Sequence, residues 1–197
     1  MAKLKLDLHT HPYESTGISE PNEELAESIV NAVKARGLDG IAATEHEDES
    51  FGYKLRDVVD RHFPGQVVII PGREVVVPEF GFCEAVELFL EDGLVFRFLA
   101  HPGQPSPQHF EVESIPLHGI ELHNASYDQY LDHRLITELG ERHSLLCLHN
   151  SDAHRLKDIG LFCNEVDMAE LAAMARKFPS SPVVTIKSRR RKSDTVR

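Results

Sequence analysis

The sequence predicts an α/β chain built on a mainly parallel sheet, and three observations predict it. Short β-rich runs alternate with helical patterns, which is the signature of strand–helix–strand units. The clearest helix falls between the first two strands, where a parallel crossover needs one. Strand after strand also ends in a residue of metal-ligand type: His9 and His11, Glu45 and His46, Glu74, His101, Glu121 with His123, and Asp152 with His154. In α/β barrels the C-terminal ends of the strands converge on one mouth, so side chains far apart in sequence meet there.

The strands are expected at residues 4–8, 40–44, 67–70, 85–90, 95–100, 119–122, 145–148 and 183–186, each a β-prone run bounded by polar or turn-forming residues. The first helix spans 22–36. Ser19 or Asn22 can cap it, Pro21 suits its first turn, Leu25, Ile29, Ala32 and Val33 form an apolar stripe, and Gly37 stops it. Further helices are expected at 55–62, 131–143 and 168–177. Residues 1–187 read as a single domain, because 197 residues supply one sizeable core, and 188–197 as a basic, disordered tail.

Composition narrows the function classes. A net charge of −11 argues against broad attraction to nucleic acid, since phosphate contacts need a positive surface. No apolar run approaches the roughly 20 residues that span a bilayer. Three cysteines, Cys83, Cys147 and Cys163, are odd in number and widely spaced, which points to a reducing, cytoplasmic setting. Twelve histidines are unusual for this length. A cluster of histidines and acids counts as negative on paper and becomes positive once it holds metal.

The motifs carry the chemistry. In Asp7-Leu8-His9-Thr10-His11 the two histidines alternate and share a face, so both imidazoles can chelate one ion. Alone, such a pair does not separate ligands from structural histidines. Thr44-Glu45-His46 follows the apolar 40–43 run, and Pro71-Gly72-Arg73-Glu74 follows 67–70. Glu74 there is placed to bridge two cations, one on each oxygen. His101 ends the 95–99 run in a Pro-Gly turn, and Asp152 and His154 share a face after 145–148. Five modest motifs in series at strand ends make one coherent site.

In this order the motifs resemble the PHP (polymerase and histidinol phosphatase) family over residues 4–163. The matching pieces are Asp7–His11, Gly40–Asp48, Pro71–Glu74, Leu99–Pro102, Gly119–Asn124, Ser151–His154 and Lys157-Asp158-Ile159-Gly160. The resemblance implies a distorted (β/α)7 barrel of the PHP type with its metal site at the C-terminal mouth of the strands. It implies two or three divalent ions (Mn, Fe or Zn): one held by His9, His11, Glu74 and Asp152, a second shared by Glu74 with His101, and a third held by His46 and His154. The implied activity is metal-dependent phosphoesterase: hydrolysis of a phosphomonoester, or a nucleotide phosphodiester, by metal-activated hydroxide held at Glu74 and Asp152. The expected partner is a small phosphorylated substrate. Nucleic acid is expected only as a substrate fragment, and no oligomeric state follows.

Two departures from the family pattern stand out. Thr16 occupies the slot where an Asp or His usually serves the third metal, and Glu14 is the candidate replacement. No histidine precedes the fourth strand, where Glu84 is the preferred substitute and Cys83 the lesser one. These losses keep open a second reading, a catalytically idle metal-binding module that acts as an interaction subunit. Hydrolysis of a carbon–nitrogen bond is a third, weakened by the lack of the metal-bridging lysine of barrel amidohydrolases. Arg155, Arg73, His123 and Asn124 are candidate substrate-binding residues, and His149 is a candidate support for a ligand. His62, His109, His118, His133 and His143 match no motif and read as structural or surface residues.

Overall fold

The computed structural model describes residues 3–77, 83–104 and 117–176. The predicted strand at 183–186, the end of the last predicted helix at 177 and the basic tail lie outside them. Eight strands form one sheet, in the order β7-β6-β5-β4-β3-β2-β1-β8. They are β1 (Leu4–Thr10), β2 (Gly40–Ala43), β3 (Val68–Val77), β4 (Cys83–Phe89), β5 (Val95–Leu99), β6 (Gly119–Asn124), β7 (Leu146–Asn150) and β8 (Asn164–Val166). The helices are α1 (Pro12–Thr16), α2 (Glu23–Ala35), α3 (Ser50–His62), α4 (His133–His143) and α5 (Met168–Met174).

Most neighbours pair in parallel, as expected, but β4 runs antiparallel to both β3 and β5, and β8 runs antiparallel to β1. Only five residues separate Val77 from Cys83, which allows a hairpin and is too short for a parallel crossover. The β8 strand carries three residues and no periodicity for a sequence reading to find. The 67–70 run also continues further than predicted. Its first four strand residues pair with β2 and its last six with β4, the change falling at Pro71-Gly72. Pro71 has no N–H to give to a ladder. A Cβ on Gly72 would stand 2.7 Å from the Glu87 carbonyl oxygen, so only glycine permits this approach.

Side chains join the two ends of the sheet. The Asn164 amide spans β7 and β1: its nitrogen donates to the His149 carbonyl and to Asn150 Oδ1, and its oxygen accepts from His149 N. Asn150 Oδ1 also accepts from Leu8 N at 3.1 Å. Asp7 accepts from the backbone of Ser151 and Gly160. The result is a nearly closed barrel in which amide and carboxylate groups extend a junction begun by backbone bonds near the mouth, from His11 N to the Ala153 carbonyl and from Asp152 N to the His9 carbonyl.

Helix α2 follows its sequence closely. Asn22 caps it through Oδ1 and Leu25 N, and Leu25, Ile29, Val30 and Val33 are buried on one face. That face packs with Ile41, Leu55, Val59 and Ile69 outside β1–β3. Each such side chain contributes about 1.5–3 kcal/mol on burial. A second apolar cluster, including Leu6, Leu8, Ile70, Leu88, Phe96 and Phe98, lies beneath the polar mouth. A third lies between the β4–β6 region and α4, with Leu99, Ile120 and Ile136.

Candidate metal centre

His9 and His11 end β1, whose register with β2 slips between Asp7 and Thr10. Such irregularities commonly re-aim side chains next to active sites. Below the slip Leu6 and Leu8 join the apolar floor. Above it His9 and His11 enter a cluster with Glu74 from β3 and Asp152 from the loop after β7. All four are buried.

Their atoms converge on one point. His9 Nε2 lies 3.2 Å from His11 Nε2, 3.4 Å from Glu74 Oε2 and 3.6 Å from Asp152 Oδ1. His11 Nε2 lies 3.5 Å from Glu74 Oε2 and 3.2 Å from Asp152 Oδ1. Four donors set tetrahedrally at the usual bond lengths around one divalent ion stand about 3.4 Å apart. Asp152 Oδ1 and His11 Nδ1 are buried without a hydrogen-bond partner, although burial of an unpaired polar atom is costly. The donor set fits a divalent cation.

Glu74 extends the site. Its Oε1 lies 2.9 Å from His101 Nε2, and Glu84 Oε2 lies 3.8 Å from the same nitrogen. Glu74, Glu84 and His101 form a second group able to hold an ion. Because β4 is antiparallel, its beginning lies at the mouth, which is what brings Glu84 there. A third group joins His11, Glu14, His46 and His154. Glu14 reaches His46 Nε2 at 3.7 Å and His154 Nε2 at 3.4 Å, while the Thr16 hydroxyl turns back to the Pro12 carbonyl. The unpredicted helix α1 explains the exchange, since it lifts Glu14 over the mouth.

Polar neighbours fix these ligands. Glu121 Oε1 lies 2.9 Å from His9 Nδ1, which leaves Nε2 facing the cluster, and Glu121 Oε2 accepts from His101 N and Asn124 Nδ2. Asn150 donates to Glu121 Oε1. Such partners hold the ring orientation of a metal-binding histidine. Glu121 lay among the strand-end acids of the sequence, but its holding role depends on three strands and had no local signal. Glu45, also buried, accepts from Tyr13 N at 2.6 Å and so ties down α1; burial pushes its carboxyl up to about 8.

The electrostatics agree. Burial opposes a charge on His9, yet Glu74, Glu121 and Asp152 overcome it and raise its pKa well above the usual value. Burial likewise opposes ionised Asp152, but His9 and His11 hold its pKa down to about 2. The anionic cage therefore demands a positive charge at its centre. Asp152 (φ 52°) and His101 (φ 24°) adopt left-handed backbone, each at a cost of about 1–3 kcal/mol that the surrounding structure must offset.

The candidate substrate-binding residues separate. Asn124 points into the site, 3.3 Å from Asp152 Oδ2. Arg155 is exposed near the mouth and pairs with Asp158 at 3.0 Å. Arg73 is next to Glu74 on a strand and so points to the opposite face, where Glu87 and Glu49 engage it. His123 also turns away from the donors, and His149 stacks on it with ring centroids 5.0 Å apart.

No protein-family model matches the chain, and no curated protein matches it significantly by sequence. Solved structures share its fold. PsfC from Pseudomonas syringae superposes with a TM-score of 0.64 at 16% identity, over 90% of this chain and 90% of that one. A protein from Bifidobacterium adolescentis, assigned as a metal-dependent phosphoesterase, gives 0.62 at 11% identity, over 85% of this chain and 94% of that one. An amidohydrolase from Chromobacterium violaceum, with bound sulfate and no metal, gives 0.58 at 13% identity, over 87% of this chain and 97% of that one. At these identities the likeness is one of fold: a distorted, TIM-like barrel with a mouth whose His, Glu and Asp clusters can hold metal.

Proposed function

We propose that the chain is a PHP-type, metal-dependent phosphoesterase that hydrolyses a phosphomonoester or a nucleotide phosphodiester. The observation that carries this reading is the convergence of the His9 and His11 Nε2 atoms with one oxygen each of Glu74 and Asp152, continued through Glu74 to His101 and Glu84. His9, His11, Glu74 and Asp152 would hold the first ion, Glu74, His101 and Glu84 the second, and Glu14, His46 and His154 the third. Divalent ions in such a site supply Lewis-acid polarisation of a phosphate and activation of water near neutral pH.

The chain's own residues do the rest. Glu121 holds the His9 ring, Asn124 anchors Asp152, and the apolar floor led by Phe98 keeps bulk water from beneath the donors. Arg155, next to His154 in the chain, is a candidate for a substrate phosphate, since its guanidinium is exposed and only weakly held by Asp158. Mixed imidazole and carboxylate donor sets suit Mn, Fe or Zn. A second reading, amide hydrolysis, draws on the amidohydrolase fold neighbour. Against it, no lysine is buried among the described residues, so the bridging lysine of that chemistry has no candidate.

The test is a panel of phosphomonoesters, nucleotide phosphodiesters and amides, assayed on chelator-stripped chain reloaded with Mn2+, Fe2+ or Zn2+. Turnover of phosphoesters alone is the expected result. Turnover of amides alone overturns it, and full metal loading without any turnover favours the idle interaction module.

A further inference from the structure

A second gathering of ligand-type side chains lies on the other side of the barrel wall. Strands β6 and β7 each end in a pair of polar residues. Asn124 and Asn150 turn inward, to Glu121 and the metal cluster, while His123 and His149 turn outward. The outward histidines meet the loop that leads into α4. There Asp128 Oδ1 lies 2.7 Å from His123 Nδ1 and 3.2 Å from His133 Nε2. The His123 and His133 rings have centroids 4.5 Å apart, and His149 stacks on the other side of His123. Phe162 closes the edge of the group at 5.5 Å from the His123 ring.

One carboxylate oxygen here meets two imidazole nitrogens, and a third imidazole, His149, stacks behind His123. Two nitrogens and a carboxylate oxygen, all mutually within 4.8 Å, make the two-histidine, one-carboxylate set that binds first-row divalent metals with open positions. All three residues are only partly buried, with side-chain exposures of 32%, 34% and 40%, so water can complete the coordination. The elements that carry them are fixed independently. The β6 backbone holds His123, Asn124 Oδ1 accepts from Ser126 N and Tyr127 N to shape the loop, and the Asp132 cap on Leu135 N starts α4 at His133.

We propose that His123, Asp128 and His133 form a separate, solvent-facing site for a divalent transition cation of the zinc type, with His149 as its neighbouring wall. The site is independent of the catalytic reading. Filling it requires each ring to carry its proton on the nitrogen turned away from the ion, and leaves two neutral imidazole donors and one carboxylate on the ion.

The experiment uses the untagged full chain, stripped with chelator and titrated with Zn2+ by calorimetry, with retained metal counted by mass spectrometry. Co2+ absorption serves as an independent reading of coordination. Compared are the wild type, His133→Ala, Asp128→Asn and Asp152→Ala, each checked for fold by circular dichroism. His133→Ala and Asp128→Asn are each expected to hold about one equivalent fewer than the wild type, because either loss breaks a three-ligand set. Asp152→Ala is expected to keep that equivalent while losing metal at the mouth. The proposal is overturned if His133→Ala and Asp128→Asn bind as many equivalents as the wild type with the same affinities. Should Asp152→Ala also bind a full complement, the mouth assignment fails on its own, and the outer site stands or falls by the other two variants.

Discussion

Two rows of buried charge sit on opposite faces of β3, one residue apart, and they are built on opposite plans. On the outer face Arg73, Glu87 and Arg97 line up across three strands, each directly opposite the next in register. Glu87 Oε2 accepts from Arg73 Nε and Oε1 from Arg97 Nε, both at 2.9 Å, and Glu49 and the Phe89 ring take up the rest of Arg73. On the inner face Glu74 is as buried as Glu87, but its ion-pair partners among the described residues are all imidazoles. The outer row closes its own charge balance. The inner one leaves Asp152 Oδ1 and His11 Nδ1 without hydrogen-bond partners and calls for a cation from outside. Burial alone therefore does not mark a site; unanswered charge does.

The sharpest way to break this contrast is to remove an inner carboxylate. Glu74→Ala or Asp152→Ala is expected to lose metal and to lower phosphoester turnover to background, roughly 10^3-fold or more, with the fold retained by circular dichroism. Turnover retained in either variant by a steady-state assay removes the inner row's assigned role. Removing the outer carboxylate acts on stability instead. Glu87→Ala removes the carboxylate that two buried guanidinium groups share and is expected to cost about 3–5 kcal/mol in urea unfolding. Metal content in the folded fraction should be unchanged.

A smaller effect tests how far the inner plan extends. Glu121→Gln keeps the shape but weakens the hold on His9, and metal affinity is expected to fall about 10- to 100-fold in competition with a fluorescent chelator. An unchanged affinity confines the site to the direct ligands. The smallest effect concerns His118, whose Nδ1 accepts from Arg97 N at 2.9 Å beside the outer row. Burial, with Arg176 and Arg97, lowers its pKa to about 4. The unfolded chain binds that proton near pH 6.5, about where free histidine titrates. Stability contributed by neutral His118 is therefore present above that pH and is lost as pH falls toward 4. The wild type should lose about 2 kcal/mol or less over this window relative to His118→Gln, measured by urea midpoints at stepped pH.

The same two faces explain what the sequence makes legible. His9, His11, His46, Glu74, His101, Asp152 and His154 follow apolar strands, so strand periodicity and order suffice to bring them to one mouth. Glu14 and Glu84 were readable as replacements only because a pattern to depart from was available. Arg73 was misleading for a physical reason: adjacency to Glu74 in sequence places it on the opposite side of a strand, where a partner 14 residues later, Glu87, captures it. His123 turned outward because the β6 register slips between Glu121 and His123, so that Asn124 and not His123 joins Glu121 on the inner side. The reversed β4 was written in a short connection rather than in the strand itself. The three-residue β8 and the helix α1 left too few residues for any periodicity to show, and their places are set by tertiary contacts.

The amide-stitched junction also governs the order of events during synthesis. His9 leaves the ribosome well before Asn164, which donates to the Leu6 carbonyl 158 positions away. At about 5–20 residues per second the interval is on the order of ten seconds, during which His9 and His11 have no Asp152 and no neighbouring β7 beside them. A growing chain offers only an incomplete chelate. The complete donor set at the mouth is thus a late product of synthesis, assembled only once β7 and the loop after it have joined β1.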